Sequence, residues 1–298
     1  MRNTKERVFA IVLVGGKGKR LRPLSTDAMP KAFLSITRDR RTMFANTLKR
    51  IERLIPASQV MVVANKAHAR LVRKDTPGIK KDRLVLEPVS RNTAPAIALA
   101  ARILQENNEA DVIAVLPTDH YIPDEAKQLA CLKEGIEIAL RGDAGFIVFG
   151  LEPKYPATGF GYIKLKGKVP GTRNAFRVDR FVEKPDLGMA KKYASSGSYL
   201  WNSGIFVFRV DRLMAAVKRH APRIYRLLKD PGRASKDYTK MPNISIDYAI
   251  MERVKGICCI RGSYRWNDVG SFESLKKVLI VEGRRFVEKD EKIVKILP

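Results

Sequence analysis

The sequence predicts an α/β fold: a mixed, mainly parallel sheet between helices. Three observations carry that reading. Apolar runs of strand length alternate with amphipathic stretches through the first half of the chain, the first run ends abruptly in glycines, and after Gly159 the alternation gives way to paired short strands. The first strand is expected at residues 8–14. Phe44, Leu48, Ile51 and Leu54 then recur at helical spacing, and residues 60–64 form the next strand. The pattern continues with a strand at 84–86, a helix at 94–105, a strand at 112–116, a helix at 124–140 and a strand at 146–149. Strands alternating with helices imply parallel pairing and cover on both faces. Residues 162–165 and 176–182 are expected as a hairpin-like insertion, with 200–208 returning to the main sheet. Helices at 211–218, 222–228 and 245–254, a short strand at 257–260 and a helix from Ser271 complete the outline. One large domain spans 1–281, and 282–298 is a short, charged C-terminal tail.

With 45% hydrophobic and 30% charged residues, the 298-residue chain has the composition of a globular protein able to bury a substantial core. No run approaches the ~18 apolar residues of a membrane span. The N-terminus MRNTKERVFAIVLVGG is basic but leads into a strand rather than a small-residue cleavage site, so a cytoplasmic protein is expected, with no membrane partner. Cys131, Cys258 and Cys259 have no metal-ligand spacing and are expected as reduced, buried thiols. His68, His120 and His220 offer no zinc pattern, so oxygen ligands are expected for any metal. The balance of 57 Lys and Arg against 31 Asp and Glu gives a formal charge of +26, which draws anionic substrates. No recognisable nucleic-acid module accompanies it, so a solvated basic surface is expected and specific nucleic-acid binding is not.

The first chemical signal follows the first strand: Leu13, Val14, Gly15, Gly16, Lys17, Gly18, Lys19, Arg20, Leu21, Arg22, Pro23 and Leu24, with Pro30 and Lys31 downstream. Glycines let backbone N–H groups approach phosphate oxygens and form an anion-binding concavity. The dinucleotide fingerprint fails because position 21 is Leu, and the nucleotide P-loop pattern fails because Lys19 is followed by Arg20. A second string, Glu87 to Ala96, sits between a strand and a helix, where Asn92 or Thr93 caps the helix in the simplest reading. A third, Leu116-Pro117-Thr118-Asp119-His120, ends a buried strand, the place where open α/β sheets bind ligands.

Gly-Gly-x-Gly-x-Arg-Leu-x-Pro-Leu followed by Pro-Lys resembles the signature of the sugar-1-phosphate nucleotidyltransferases, and Glu87-Pro-Val-Ser-Arg-Asn-Thr-Ala-Pro-Ala resembles the base-and-ribose segment of their mannose-1-phosphate guanylyltransferase branch. The resemblance runs from about Phe9 to Leu275 with its motifs in family order. It implies the nucleotide-diphospho-sugar transferase fold, of the GT-A or Rossmann-like type, and a tail truncated relative to relatives that carry a β-helix domain. It implies a loop of Leu13, Gly15, Gly16, Gly18 and Lys19 around a triphosphate, with Arg20 and Lys31 neutralising charge, and Glu87, Asn92 and Thr93 near the base and ribose. Glu87 could accept from guanine N1–H and its exocyclic amine. Lys19 and Thr118 depart from the Ser or Thr and the Ala usual in the family.

The string Trp266-Asn-Asp-Val-Gly-Ser271 resembles the family's second metal-binding segment, so that Asp119 and Asp268 would converge on Mg²⁺. Three further strings match its sugar-phosphate site: Thr158 to Ile163 with Gly159, Gly161 and Tyr162; Phe181 to Pro185 with Glu183 for hydroxyls and Lys184 for the phosphate; and Trp201 to Phe206 with Asn202 for a hydroxyl. The segment 245–252 is also typical of the branch and is given a packing role. The activity implied is transfer of GMP from GTP to mannose 1-phosphate, giving GDP-mannose and pyrophosphate, with Arg20, Lys31 and Lys184 as the catalytic cations. The alternatives are another pair, such as glucose 1-phosphate with UTP or dTTP, or a catalytically silent nucleotide-sugar-binding homologue. A monomer or weak homodimer is expected from the charge.

Overall fold

The computed structural model describes residues 7–16, 18–229 and 237–297. The first strand, β1 (Val8–Val14), sends Phe9 and Ile11 into one apolar cluster and Val8, Ala10, Val12 and Val14 into another on its opposite side. Side chains of period two that are apolar on both faces require a strand covered on both faces. In chain order there follow α1 (Met43–Ile51), β2 (Val60–Asn65), α2 (Ala69–Asp75), β3 (Leu84–Glu87), α3 (Thr93–Glu106), β4 (Val112–Pro117), α4 (Glu125–Arg141) and β5 (Phe146–Leu151). The second half contains β6 (Tyr162–Lys168), β7 (Ala175–Val182), α5 (Leu187–Ser195), β8 (Tyr199–Arg209), α6 (Val210–His220), α7 (Pro222–Leu227), β9 (Ile257–Arg261), α8 (Phe272–Val281), β10 (Phe286–Lys289) and β11 (Lys292–Ile296).

The main sheet has nine strands in the order β3-β2-β1-β4-β8-β5-β9-β7-β6. β3, β2, β1 and β4 pair in parallel, β8 is antiparallel to both β4 and β5, β9 is parallel to β5, and β7 is antiparallel to β9 and β6. Seven of these strands therefore point one way, and β7 and β8 the other. One apolar cluster joins the sheet to Ile97, Ala100 and Leu104 of α3 and Leu213 and Val217 of α6. The opposite one joins it to Phe44, Leu48 and Ile51 of α1 and Leu132, Ile136 and Ala139 of α4.

The structure departs from the sequence reading where tertiary contacts overrule local pattern. The strands expected as an insertion belong to the main sheet: β6 pairs with β8 as well as β7, so β8, β5, β9, β7 and β6 close a circuit of pairings. Helices α2 and α5 were not expected; α5 starts at Asp186, whose carboxylate accepts from Met189 N at 2.8 Å. The helix expected at 245–254 is a single π-helical turn, Asp247–Met251. Residues 286–297 include an antiparallel hairpin turning through Asp290 and Glu291, both at positive φ. Ile293 of that hairpin is buried with Leu21, Leu34, Val269 and Leu279 in a cluster beside the glycine loop.

Candidate active site

The glycine loop begins where β1 stops. Gly16 (φ 88°) and Gly18 (φ 58°) occupy the left-handed region, and Gly18 leads into a 3₁₀ turn, Lys19–Leu21. A Cβ on Gly18 would lie 2.9 Å from the Cβ of Lys31, so glycine is what lets Lys31 pass beneath the loop. Gly15, Gly16, Lys19 and Arg20 are exposed, and the Arg20 guanidinium reaches within 4.0 Å of Asp268 Oδ2. Leu13 is half-buried, and its carbonyl accepts from the hydroxyl of Thr118 at 3.0 Å. Thr118 thus ties the end of β4 to the end of β1, which gives its hydroxyl a structural use.

Lys31 is the junction of the site. It is only 6% exposed, yet its ammonium donates to Asp119 Oδ2 at 3.0 Å and to the carbonyl oxygen of Asp268. Burial of an ammonium requires such partners. The two aspartates, 149 residues apart in number, are brought together by a backbone bridge: Tyr121 N donates to Asn267 O at 2.8 Å and Asn267 N to Tyr121 O at 3.0 Å. Burial pushes the Asp119 carboxyl up, but the Lys31 ammonium, followed by His120 and hydrogen bonding, outweighs it and holds the group below the usual carboxylate range. His120 goes the other way, pushed down to about 4 chiefly by burial. Its Nδ1 accepts from Trp266 Nε1–H at 3.1 Å, which leaves the ring proton on Nε2, 3.9 Å from Asp119 Oδ1.

The Asp268 turn is shaped for its carboxylate. Gly270 N donates to Asp268 Oδ1 at 3.2 Å, and a Cβ on Gly270 would meet Oδ2 at 2.3 Å and Arg20 Nη2 at 3.2 Å. Val269 holds φ 49° while fully buried, a costly conformation for a β-branched residue that the surrounding cluster maintains.

A second group lies farther along the same edge of the sheet, where β8 and β6 begin and β7 ends. Glu183 is buried at the end of β7, its backbone N–H donates to Glu252 Oε1 at 2.8 Å, and its Oε1 accepts from Lys184 Nζ at 2.6 Å. Lys184 sits at φ 47° with its side chain half exposed. Burial works against its charge, but the Glu183 carboxylate and then Asp247 raise its pKa overall. Asn202 N donates to Gly161 O at 2.8 Å, and its Nδ2 to Asp247 Oδ1 at 3.2 Å. Gly161 leaves room for this carboxylate, since a Cβ would lie 2.7 Å from Glu183 Oε2. Gly159, by contrast, faces open space.

Two corrections concern this group. Tyr162 does not offer its side chain to a sugar: the ring is fully buried, 5.4 Å from that of Tyr193, and serves the fold. The packing role given to 245–252 is incomplete, because Asp247 joins Asn202, Glu183 and Lys184, while Glu252 anchors the Glu183 backbone. Burial and then the Glu183 charge hold the Asp247 carboxyl above its usual range. The detectable signal was a pair of carboxylates bracketing the apolar Ala249-Ile250-Met251, which periodicity alone assigns to packing.

The base-side residues carry structural duties as well. Glu87 is 8% exposed and accepts a hydrogen bond from the hydroxyl of the fully buried Tyr238. Burial raises the Glu87 carboxyl, and the Tyr238 bond partly opposes this. Asn92, at φ 65°, precedes α3 with its side-chain oxygen accepting from Thr93 N at 2.9 Å. The Thr93 hydroxyl accepts from Ile246 N at 2.8 Å, linking α3 to the π-helical turn that supplies Asp247.

The Nucleotidyl transferase family model matches residues 9–280. The chain is 38% identical over 296 residues to mannose-1-phosphate guanylyltransferase RfbM of Salmonella typhimurium, covering 94% of this chain and 60% of that protein. It is 38% identical over 290 residues to xanthan biosynthesis protein XanB of Xanthomonas campestris pv. campestris, covering 93% of this chain and 60% of that one. The chain thus spans about three fifths of the length of these curated relatives. A crystal structure of a Thermus thermophilus protein named mannose-1-phosphate geranyltransferase superimposes with a TM-score of 0.83 at 32% identity, over 91% of this chain and 79% of that one. With the family model spanning nearly the whole chain and the glycine loop, Lys31, Asp119 and Asp268 gathered at one end of its sheet, the chain belongs to the nucleotidyl transferase family.

Proposed function

We propose that this chain transfers GMP from GTP to mannose 1-phosphate, forming GDP-mannose and pyrophosphate. The observation that carries the reading is Lys31, whose ammonium joins Asp119 to the Asp268 segment beneath the glycine loop. A cation bridging two carboxylate-bearing segments next to exposed loop N–H groups suits the phosphates of a nucleoside triphosphate. The curated relatives named as mannose-1-phosphate guanylyltransferases support mannose and guanine over other pairs.

The sugar phosphate is already an anionic nucleophile, so no general base is needed. One of its oxygens forms the new bond to the α-phosphorus of GTP, the bond from that phosphorus to the β-phosphate breaks in line, and pyrophosphate leaves with the electron pair. Two anions must meet, so the protein's work is positioning and charge neutralisation. Lys31 and Arg20 serve the triphosphate, Lys184 the sugar phosphate, and Glu183, Asn202 and Asp247 the sugar hydroxyls, with Glu87, Asn92 and Thr93 on the base side. Asp119 and Asp268 fit Mg²⁺, a hard cation usually held by one or two carboxylates plus substrate phosphates and water. When bound, Mg²⁺ would supply positive charge at the phosphates.

No helix among the described residues is long and apolar enough to cross a membrane. The reading places the reaction in the cytoplasm, in a monomer or weak dimer whose +26 formal charge opposes close packing of copies at low salt. The test is pyrophosphate release with Mg²⁺, each of the four nucleoside triphosphates and a panel of hexose 1-phosphates. The expected result is preference for GTP with mannose 1-phosphate; equal or faster turnover of UTP or dTTP with glucose 1-phosphate would overturn it.

A further inference from the structure

Arg50 of α1 is 4% exposed, and no carboxylate among the described residues lies within 4.0 Å of its guanidinium, although Arg53 and Arg41 nearby have such partners. A guanidinium has five N–H donors. Arg50 makes one long hydrogen bond, from Nη2 to Thr47 Oγ1 at 3.4 Å, and its buried Nε has no partner. A buried charge left in that state is costly. Burial accordingly pulls its pKa down.

Arg50 lines a cavity of about 290 Å³ whose wall includes Thr37, Arg38, Asn46, His120 and Tyr121 but neither Asp119 nor the glycine loop. That volume falls just below the range of drug-sized ligand sites, roughly 300–1,000 Å³, and suits a small ion. Three carboxylates line the same space, but each is engaged: Asp39 with Arg41, Glu125 with Arg53, and Glu282 with the Tyr121 hydroxyl and Arg38 N. The Glu125 charge also acts on Arg50, but it makes no hydrogen bond to it and is shared with Arg53, so the Arg50 N–H donors lack an oxyanion partner.

We propose that this cavity is a second anion site, distinct from the glycine loop, that binds a small phosphate oxyanion on Arg50 with Arg38 as the outer cation. The planar guanidinium fork matches oxyanion geometry. A phosphate dianion answers two cations where a carboxylate answers one.

Calorimetric titration at constant ionic strength without Mg²⁺ tests this on the wild type and on Arg50→Gln, Arg38→Gln and Lys31→Ala. The ligands are orthophosphate, pyrophosphate and mannose 1-phosphate, with acetate as the carboxylate control; their ranking distinguishes a free phosphate from the phosphoryl group of a larger metabolite. Charged hydrogen bonds of this kind predict a Kd raised at least about tenfold in Arg50→Gln, severalfold in Arg38→Gln, and retention of the site in Lys31→Ala. Unchanged phosphate binding in Arg50→Gln, loss of all binding in Lys31→Ala, or acetate binding as tightly as phosphate overturns the proposal. If Arg50→Gln does not fold, Arg38→Gln decides, since Arg38 is exposed and its loss does not threaten the core. Arg50→Met supplies a second readout: without phosphate it should melt no lower than the wild type, and phosphate should raise the wild-type Tm but not its own. Equal phosphate-induced shifts in both proteins overturn the proposal.

Discussion

The two groups of the candidate site handle charge in opposite ways. On the loop side, cations lead: Lys31 is buried against Asp119 and the Asp268 carbonyl, Arg20 stands 4.0 Å from Asp268, the exposed Lys19 adds a third cation to these two aspartates, and the Asp119 carboxyl is held below its usual range. On the sugar side, carboxyl groups lead: Glu183 and Asp247 share one lysine, Glu252 is spent on a backbone N–H, and Asp247 is held above its usual range. Cations in excess suit phosphate oxygens, whereas carboxylates in excess suit hydroxyl donors. In the proposed function this difference would put the polyanion on one side and the pyranose on the other, and each half of that proposal can be broken separately.

The largest effect is expected at the loop side. Asp268→Asn and Asp119→Asn should each cut turnover by about 10²-fold or more at limiting Mg²⁺ while the fold persists, since removing one preorganised charge-stabilising group commonly costs that much. Steady-state kinetics with circular dichroism as the folding control checks this, and near-normal turnover in both would remove the metal assignment. Next come the two lysines. Lys31→Ala should chiefly impair GTP use and Lys184→Ala chiefly mannose 1-phosphate use, each by about tenfold or more. A larger GTP than sugar-phosphate defect in Lys184→Ala would erase the contrast between the two groups.

The loop side was legible in the sequence and the sugar side less so, for a physical reason. Gly15 to Pro23 and Pro30-Lys31 form a local string whose chemistry needs its residues near one another, and Asp119 ends a strand that its apolar run announces. Asp247 reaches the site only because a π-helical turn, fastened to Thr93, presents it beside Asn202. No spacing rule carries that contact. Tyr162 shows the converse failure, since a residue directly after a motif glycine reads as part of the site while its aromatic neighbours Tyr193 and Trp201 take it into the core. Likewise, Ile293 anchors a hairpin that charge patterning alone reads as a tail.

A smaller effect is expected from Asp247→Asn, which keeps an oxygen for Asn202 but removes a charge beside Glu183. The KM for mannose 1-phosphate should rise by roughly tenfold with GTP little affected. Stability should move the opposite way. Because the folded-state carboxyl of Asp247 lies above its ordinary value, folding takes up a proton as pH rises past about 4, and wild-type stability declines through that window. The variant should therefore melt above the wild type at pH 8, with the advantage vanishing toward pH 4. A variant less stable at pH 8 than at pH 4, relative to wild type, would show that Asp247 is a stabilising carboxylate instead.

The smallest effect concerns what holds Lys184 in place. Asp186 caps α5 two residues beyond it, and loss of such a cap costs about 1 kcal/mol of stability. If the cap also aimed the lysine, Asp186→Ala would raise the KM for mannose 1-phosphate. The bonds on the other side argue that it does not: Lys184 N donates to Phe160 O at 3.3 Å, Glu183 N to Glu252 Oε1 at 2.8 Å, and the ammonium itself reaches Glu183. All three bonds are made by β7's end and its neighbours, independently of α5. Asp186→Ala should therefore lower Tm by a few degrees and leave both substrate KM values within about twofold of wild type. Glu252→Gln, which weakens the anchor on the Glu183 backbone, should do the reverse: little change in Tm and a rise of severalfold in the sugar-phosphate KM alone. A sugar-phosphate defect in Asp186→Ala matching that of Glu252→Gln would move control of Lys184 from the strand to the helix.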